Sequence, residues 1–551
     1  MKYFWIFFLS ITVYILSACT LEEIPSNQIL SQESYQPDDL LSTSTPFKPI
    51  MDEMVSSNQI KLWIPAYLQD IQIGWNNHPQ LIRGEKISNA DCSMKVSNEG
   101  IIIGNIVYAL TVPFNTVQDD MTKEHLFNTI LNETVDQKIF LSENTYLIFS
   151  EILGELSENL VIVSENEIFE HVSNSSNSYG VIRFDHLEPK WKVLRIENIS
   201  PIDKDFDHEN YFLNFPVSIS CSDDQLSKFN IESSIEKFST RYEEKITYVL
   251  MTGTTALTRA TADRMEKFGN QYPGENIKFW FENSDIRHIS SETPFYDNCP
   301  YPDAFQKNLV FCSRTKYAEL FTFLPVDIIE LTGNHLLDKG VDPFENTLML
   351  FNQLGLTYYA GGYSKEEAAK PVLFEHNGNK IAFLGCNMAG PSNVWATVSR
   401  SGVNDCNLSD MAKQIRELRT EGTLPIVTFQ YYESNSMKPS YTQMDVFRAM
   451  AEAGAVIVSG SQSHVPMIME IYNDGYIHYG LGNLFFDQMD SIQNRREFVD
   501  RHIFYDGRYL GTELLTAMLE NYAQPRPMTE NERESLLQDA FRDYQIVVEG
   551  E

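Results

Sequence analysis

Several short segments place hydroxyl, carboxylate, amide, imidazole and guanidinium groups directly behind apolar runs. They read Gly253-Thr-Thr-Ala-Leu-Thr-Arg259, Ile289-Ser-Ser-Glu292-Thr-Pro294, Leu331-Thr-Gly-Asn-His-Leu-Leu-Asp-Lys-Gly340, Phe429-Gln-Tyr-Tyr-Glu433 and Ser459-Gly-Ser-Gln-Ser-His464, the last followed by Tyr479-Gly-Leu-Gly-Asn-Leu-Phe-Phe-Asp487. Arg259 carries a planar fork of donors that suits an anionic substrate. His335 is an imidazole able to act as general acid or base near neutral pH. Gln430, Glu433, Gln462 and Asn483 are polar groups that can line a substrate site. Each residue also has a plainer reading. Glu292 can be a solvated loop carboxylate. Asn334 and Asn483 can be turn residues. His335 and His464 can be satisfied loop histidines. Asp338 and Gly340 read as residues that cap and shape the next turn, Gln443 as part of the capping box Ser440-Tyr-Thr-Gln443, and His478 as structural.

The elements that must carry these groups follow from apolar patterning. Lys245-Ile-Thr-Tyr-Val-Leu-Met-Thr-Gly253 reads as a buried strand ending in a small-residue turn. Asn276-Ile-Lys-Phe-Trp280, Asp327 to Gly333, Leu424 to Phe429 and Ala455 to Ser459 read as further strands. Asn377-Gly378 marks a hairpin turn between Val372-Leu-Phe374 and Ile381-Ala-Phe-Leu384. Helices are expected at about 342–354, over Ser409–Thr420 with Met411, Ile415 and Leu418 on one face, and from Ser440 to Ala453. Strand–helix alternation argues for an α/β fold, in which functional groups sit on loops at strand ends. Before this region, from about 47 to 243, short apolar runs such as Lys61-Leu-Trp-Ile-Pro65, Ile101 to Leu110 and Tyr146-Leu-Ile-Phe149 alternate with polar turns, which suggests a mixed α/β domain. Beyond Asp487 the chain is charged and reads as a helix-forming tail with a strand near Arg508-Tyr-Leu510 and a last helix from Thr529 through Ala540.

The N-terminus reads MKYFWIFFLSITVYILSAC. A lone Lys2, an apolar stretch from Phe4 to Leu16 and Leu16-Ser-Ala-Cys19 resemble a bacterial lipoprotein signal, with Cys19 as the lipidated first residue of the mature chain. A polar tether to about Pro46 follows. Six other cysteines suit an oxidising compartment and disulfides. Cys299 and Cys312 flank a Pro-rich loop, Cys386 and Cys406 flank another loop, and Cys92 and Cys221 remain; buried free thiols are the alternative. The 551 residues carry 42 Lys and Arg against 76 Asp and Glu, a formal charge of −34. That excludes a nucleic-acid partner and fits an exported, lipid-anchored surface.

Gly-Asn-His-x-x-Asp-x-Gly, with Ala360-Gly-Gly, Glu366-Glu-Ala-Ala-Lys-Pro371 and Tyr-Gly-Leu-Gly-Asn-Leu-Phe-Phe-Asp487 in the same order, resembles the signature of the bacterial capsule-synthesis CapA (poly-γ-glutamate synthesis) family across about 246–490. That family is similar to calcineurin-like metallophosphoesterases, so the resemblance implies a layered α/β/β/α sandwich. It also implies a metal centre. Of that pattern the chain keeps Glu292, Asn334, His335 and His464 as ligands for one divalent cation, and Arg259 at the basic position. It departs where Thr254 replaces an Asp, Gln430 stands at or near a His, and Gly460-Ser-Gln-Ser-His464 replaces a His-rich run. Neutral amides and hydroxyls are poorer ligands, so the alternative is a metal-free polar pocket. Tyr179-Gly-Val-Ile-Arg-Phe184, Trp191-Lys-Val-Leu-Arg-Ile196 and Ser200-Pro-Ile202 resemble the return strands of periplasmic solute-binding proteins.

The organisation expected is a signal peptide (1–19), a tether (20–46), an N-terminal α/β solute-binding-like domain (47–243), a CapA-like domain (244–490) and a C-terminal extension packed on it (491–551). The function expected is synthesis or processing of a cell-surface polymer, or of a small anionic substrate, by a metal-dependent hydrolase or transferase with His335 and Arg259 in catalysis. The alternative is a non-catalytic polymer- or solute-binding lipoprotein.

Overall fold

A computed structural model describes residues 60–71, 81–131, 136–222 and 237–544. The expected signal peptide, Cys19 and the tether lie outside the described residues. Two sheets stack face to face in the C-terminal half. One has nine strands, and its backbone runs Thr357–Tyr359, Ile328–Glu330, Ile286–Ser291, Ile246–Met251, Arg496–Tyr505, Arg508–Glu520, Gln524–Pro527. The other has six: Val372–His376, Asn379–Asn387, Leu424–Gln430, Ile457–Ser461, Gly475–His478, Met469–Tyr472.

The apolar runs are unbroken because both faces of these strands are covered. Along Ile246–Met251, Val249 and Met251 enter the core between the sheets and Leu250 the core under the outer helices. In the second sheet Ile426 and Ile457 face the first sheet, while Val427 and Val458 face helices Leu408–Thr420 and Tyr441–Glu452. The architecture is a helix–sheet–sheet–helix sandwich, preceded by a ten-stranded mixed sheet built from residues 60–239. That sheet's core also takes in Ile246, Tyr248, Ile503, Tyr505 and Leu510. The boundary expected at 243/244 therefore separates sheets but not cores, and Gln59–Glu551 form one unit. Three disulfides are present: Cys92–Cys221, Cys299–Cys312 and Cys386–Cys406.

Several elements differ from the sequence reading. Asn276–Trp280 is not a strand: residues Lys278–Glu282 form a short helix that buries Trp280 and Phe281. Ser200–Ile202 is a turn. The stretch after residue 490 is not a helical tail. Arg496–Tyr505 and Arg508–Glu520 form a hairpin inside the nine-stranded sheet, antiparallel to Ile246–Met251, with Ile246 opposite Tyr505 and Met251 opposite Asp500. Its charges are absorbed locally: Arg501 pairs with Glu513, and Arg496 with Asp539 at 2.8 Å. Only Glu530–Tyr544 is a long helix there.

A buried polar network lies on this hairpin. Asp500 accepts from His478 Nδ1 at 2.7 Å and from Tyr476 Oη at 3.1 Å, and His502 Nδ1 lies 2.6 Å from Thr512 Oγ1. Burial presses the His502 imidazole down to about 4, with Asp500 opposing and His478 and His288 assisting. The unfolded chain titrates this group near about 6.5. The folded value is the lower one, so the stability it represents is present above that pH and is lost as pH falls toward 4, on the order of 3 kcal/mol. The melting temperature should drop across this window, and His502→Asn should flatten the drop. Parallel curves for the two proteins would exclude His502 as the cause.

Candidate functional site

The polar segments meet where strands of the two sheets end. The short strand Thr254–Thr255 lies between Ser290–Ser291 and the strand Asn483–Phe485. Two glycines permit this closeness. A Cβ on Gly253 would lie 2.2 Å from the Gly482 carbonyl oxygen, and one on Gly333 would lie 2.7 Å from Glu292 Cα. Arg259, Gln462 and His464 hold left-handed backbone at φ 46°, 77° and 54°. For residues with a Cβ this costs about 1–3 kcal/mol each, and the surrounding packing must enforce it.

Glu292 is 2% exposed, and neither carboxylate oxygen has a hydrogen-bond partner. Its backbone N–H donates to the Thr255 carbonyl at 2.9 Å, and the buried hydroxyls of Thr254 and Thr255 also lack partners. His335 donates from Nδ1 to Asp338 Oδ2 at 2.7 Å, which leaves Nε2 free. Burial alone would depress its pKa. The Asp338 hydrogen bond and the charges of Glu292, Asp338 and Glu433 outweigh burial, and the pKa rises above the ordinary value.

The amides form a second chain of contacts. Gln430 Nε2 donates to Asn334 Oδ1 at 3.1 Å and also to Gln462 Oε1, while Ser461 Oγ donates to Gln430 Oε1 at 2.9 Å. Gln462 Nε2 donates to Glu433 Oε1 at 3.4 Å. His464 Nδ1 faces Asn483 Oδ1 at 2.8 Å, and its Nε2 lies 3.8 Å from Glu433. Arg259 is ion-paired to Asp487, which also caps the Ala260 N–H at 2.8 Å. The guanidinium lies over the rings of Phe311 and Phe486 at 5.2 and 4.9 Å, and those rings in turn touch His335 and His464. The structure thus brings Arg259, Glu292, Asn334, His335, Gln430, Glu433, Gln462, His464 and Asn483 into one neighbourhood.

The donor set does not fit a divalent cation. Among the described residues no group of three or more His, Cys, Asp or Glu could hold a metal ion. Of the set expected as ligands, Asn334 Oδ1 accepts from Gln430, and the two ring nitrogens of His464 face Asn483 and Glu433. Glu292 and His335 alone are too few charged or imidazole donors for a closed centre.

Asp338, Asp487, Phe311 and Phe486 were not expected in the site. Asp338, which the sequence marks as a turn cap, holds the imidazole, and its spacing of three from His335 is the signal for that role. Asp487 sits inside a quoted motif, but its partner Arg259 is 228 residues away. Nothing local marks the two rings. Gln443 caps less than expected: Ser440 Oγ accepts from its N–H at 3.2 Å, while its side chain donates to the Tyr479 carbonyl.

Residues 248–488 match the family model described as bacterial capsule synthesis protein PGA_cap. Over 297 residues the chain is 27% identical to a capsule biosynthesis protein CapA of Bacillus anthracis, covering 52% of this chain and 71% of that protein. Over 266 residues it is 26% identical to the PGA biosynthesis protein CapA of Bacillus subtilis (strain 168), covering 48% and 69%. Among solved structures, a phosphatase from Mycoplasma pneumoniae superposes with a TM-score of 0.33 at 11% identity, covering 52% of this chain and 96% of the other. Through residues 248–488 the chain is similar to the bacterial capsule synthesis protein family that this model describes.

Proposed function

We propose that the chain is a lipid-anchored, extracytoplasmic protein that grips a carboxylate-bearing polyamide of the poly-γ-glutamate type during its synthesis or processing. The observation that carries this reading is the buried, unpartnered carboxylate of Glu292. Leaving such a group unpaired is costly, and the backbone N–H groups of a polyamide are suitable donors for it. The polymer's carboxylates meet the His335 imidazolium and the buried edge of Arg259. The names of the Bacillus relatives support the polymer class. A formal charge of −34 repels a polyanion over most of the surface, so contact concentrates at this site. The leader ending in Cys19 supports the anchor.

A second reading, hydrolysis or transfer on the same polymer, draws on His335. With Asp338 fixing Nδ1–H, Nε2 is placed to take or give a proton as a general acid/base. On this second reading the imidazole carries the proton transfer.

The test uses the full chain solubilised from membranes. Calorimetric titration with γ-linked glutamate oligomers should show binding that weakens with salt and is unchanged by chelator, and metal analysis should find substoichiometric metal. Absence of binding at low salt overturns the polymer reading. Stoichiometric metal that is lost in Glu292→Ala and His335→Ala overturns the metal-free site. Cys19→Ser should move the protein from the membrane to the soluble fraction; retention there would sink the lipid anchor.

A further inference from the structure

One cavity, of about 260 Å³, lies where the N-terminal sheet meets the Arg508–Glu520 strand. Its cations are already paired. Lys192 and Arg533 bind Asp119, and Arg195 binds Asp203 and Glu513. It is an ion network that holds the two regions together.

A second cavity, of about 140 Å³, differs in kind. It opens beside Arg259 under the loop closed by Cys299–Cys312, and Arg259, Arg314 and Lys339 line it with no carboxylate among the lining residues. Behind the lining, Arg314 is paired to Glu266 at 2.7 Å and Arg259 to Asp487. Lys339 has no hydrogen bond or ion pair among the described residues. Arg259 Nε is buried without a partner. In a chain of charge −34, a cavity whose charged lining residues are all cations is out of keeping with the net charge. Pro300, Pro302 and Val310 supply apolar walls.

We infer that this cavity is an anion subsite that seats a carboxylate of the polymer next to the unit held at Glu292 and His335. The inference rests on the polymer reading above and adds where the neighbouring unit sits. The unpaired Lys339 and the Arg259 guanidinium meet the carboxylate. The proline and valine walls meet the aliphatic carbons that separate carboxylate from amide in a γ-linked chain. Arg259 belongs to both places: its guanidinium lies over Phe311 and Phe486, and the residue also lines the cavity. The Cys299–Cys312 bridge holds the roof, so the subsite is preformed.

The test compares wild type with Lys339→Gln and Lys339→Glu, titrated with three probes: a γ-linked glutamate oligomer, the γ-linked glutamine oligomer of equal length, and a glycerol-phosphate oligomer. Lys339 is only partly buried, so folding should survive, and a melting curve checks it. Lys339→Gln should weaken γ-glutamate binding about tenfold, the scale of one lost charged hydrogen bond. Lys339→Glu should weaken it further, and binding of the glutamine oligomer should not change. If wild type binds γ-glutamate and both variants bind it equally well, the subsite is wrong and the polymer reading stands. If wild type binds no γ-glutamate, both fall. If it prefers glycerol phosphate, with loss in Lys339→Gln, the carboxylate assignment falls.

Discussion

Glu292→Gln is expected to make the protein more stable and to release its hold on the polymer. The two effects share one cause. The native carboxylate sits behind Gly333 at the end of strand Ile286–Ser291, out of water and without a donor. A neutral amide of the same shape removes the buried charge, and relief of an unmet polar group is worth about 1–3 kcal/mol. The same change removes the charge and turns one of the two acceptor oxygens that meet a polyamide N–H into an NH2 donor, at a cost of about 10- to 100-fold in affinity. Chemical denaturation and calorimetry on the same preparation read both. Opposite signs for stability and binding mark a group kept for a ligand. A less stable variant with unchanged affinity would show instead that Glu292 serves the fold.

Cys92→Ala/Cys221→Ala should cost more stability than removal of either other bridge. Cys92 and Cys221 are directly opposed on antiparallel strands Cys92–Val96 and Asn214–Cys221, and their sequence separation is 129. The other two bridges span 13 and 20 residues. On the chain-entropy view the long loop is worth about 5 kcal/mol and the short ones about 3. Urea midpoints of the three double variants under non-oxidising handling should fall in that order. Equal losses would mean that native strain, not loop length, sets their value. Reductant should reproduce the sum only if all three are open to it.

Where the sequence was legible, burial was the reason. Leu424–Gln430 and Ile457–Ser461 are apolar on both faces and could hardly be anything but central strands, and Asn377-Gly378 admits few turns besides a hairpin. Met411, Ile415 and Leu418 mark the inner face of their helix at the right spacing. Where a short apolar run stood alone, period could not decide. The short apolar run Tyr146–Phe149, which the sequence leaves unassigned, lies in helix Glu143–Leu153, capped by Ser142, whose hydroxyl accepts from the Thr145 N–H. The candidate site was legible as residues but not as partners. Glu292, His335 and His464 announce themselves by type. That His464 faces Asn483, or that Arg259 is clamped by rings 52 and 227 residues further on, follows from how the strand ends meet.

The hairpin inserted beside Ile246–Met251 has a consequence for the order of events in folding. The first strand of the sandwich finds its second neighbour only when Arg496–Tyr505 arrives, more than 240 residues later. A chain threaded through a membrane from its N-terminus thus emerges with that strand half-paired until almost all of it has crossed. Contacts of such long separation form slowly, and an unpaired apolar strand invites association with other chains meanwhile. On the proposed route of export, that edge needs shielding for the duration of the crossing. A product cut short before residue 496 keeps every group of the candidate site and still lacks the strand that completes the sheet beneath it.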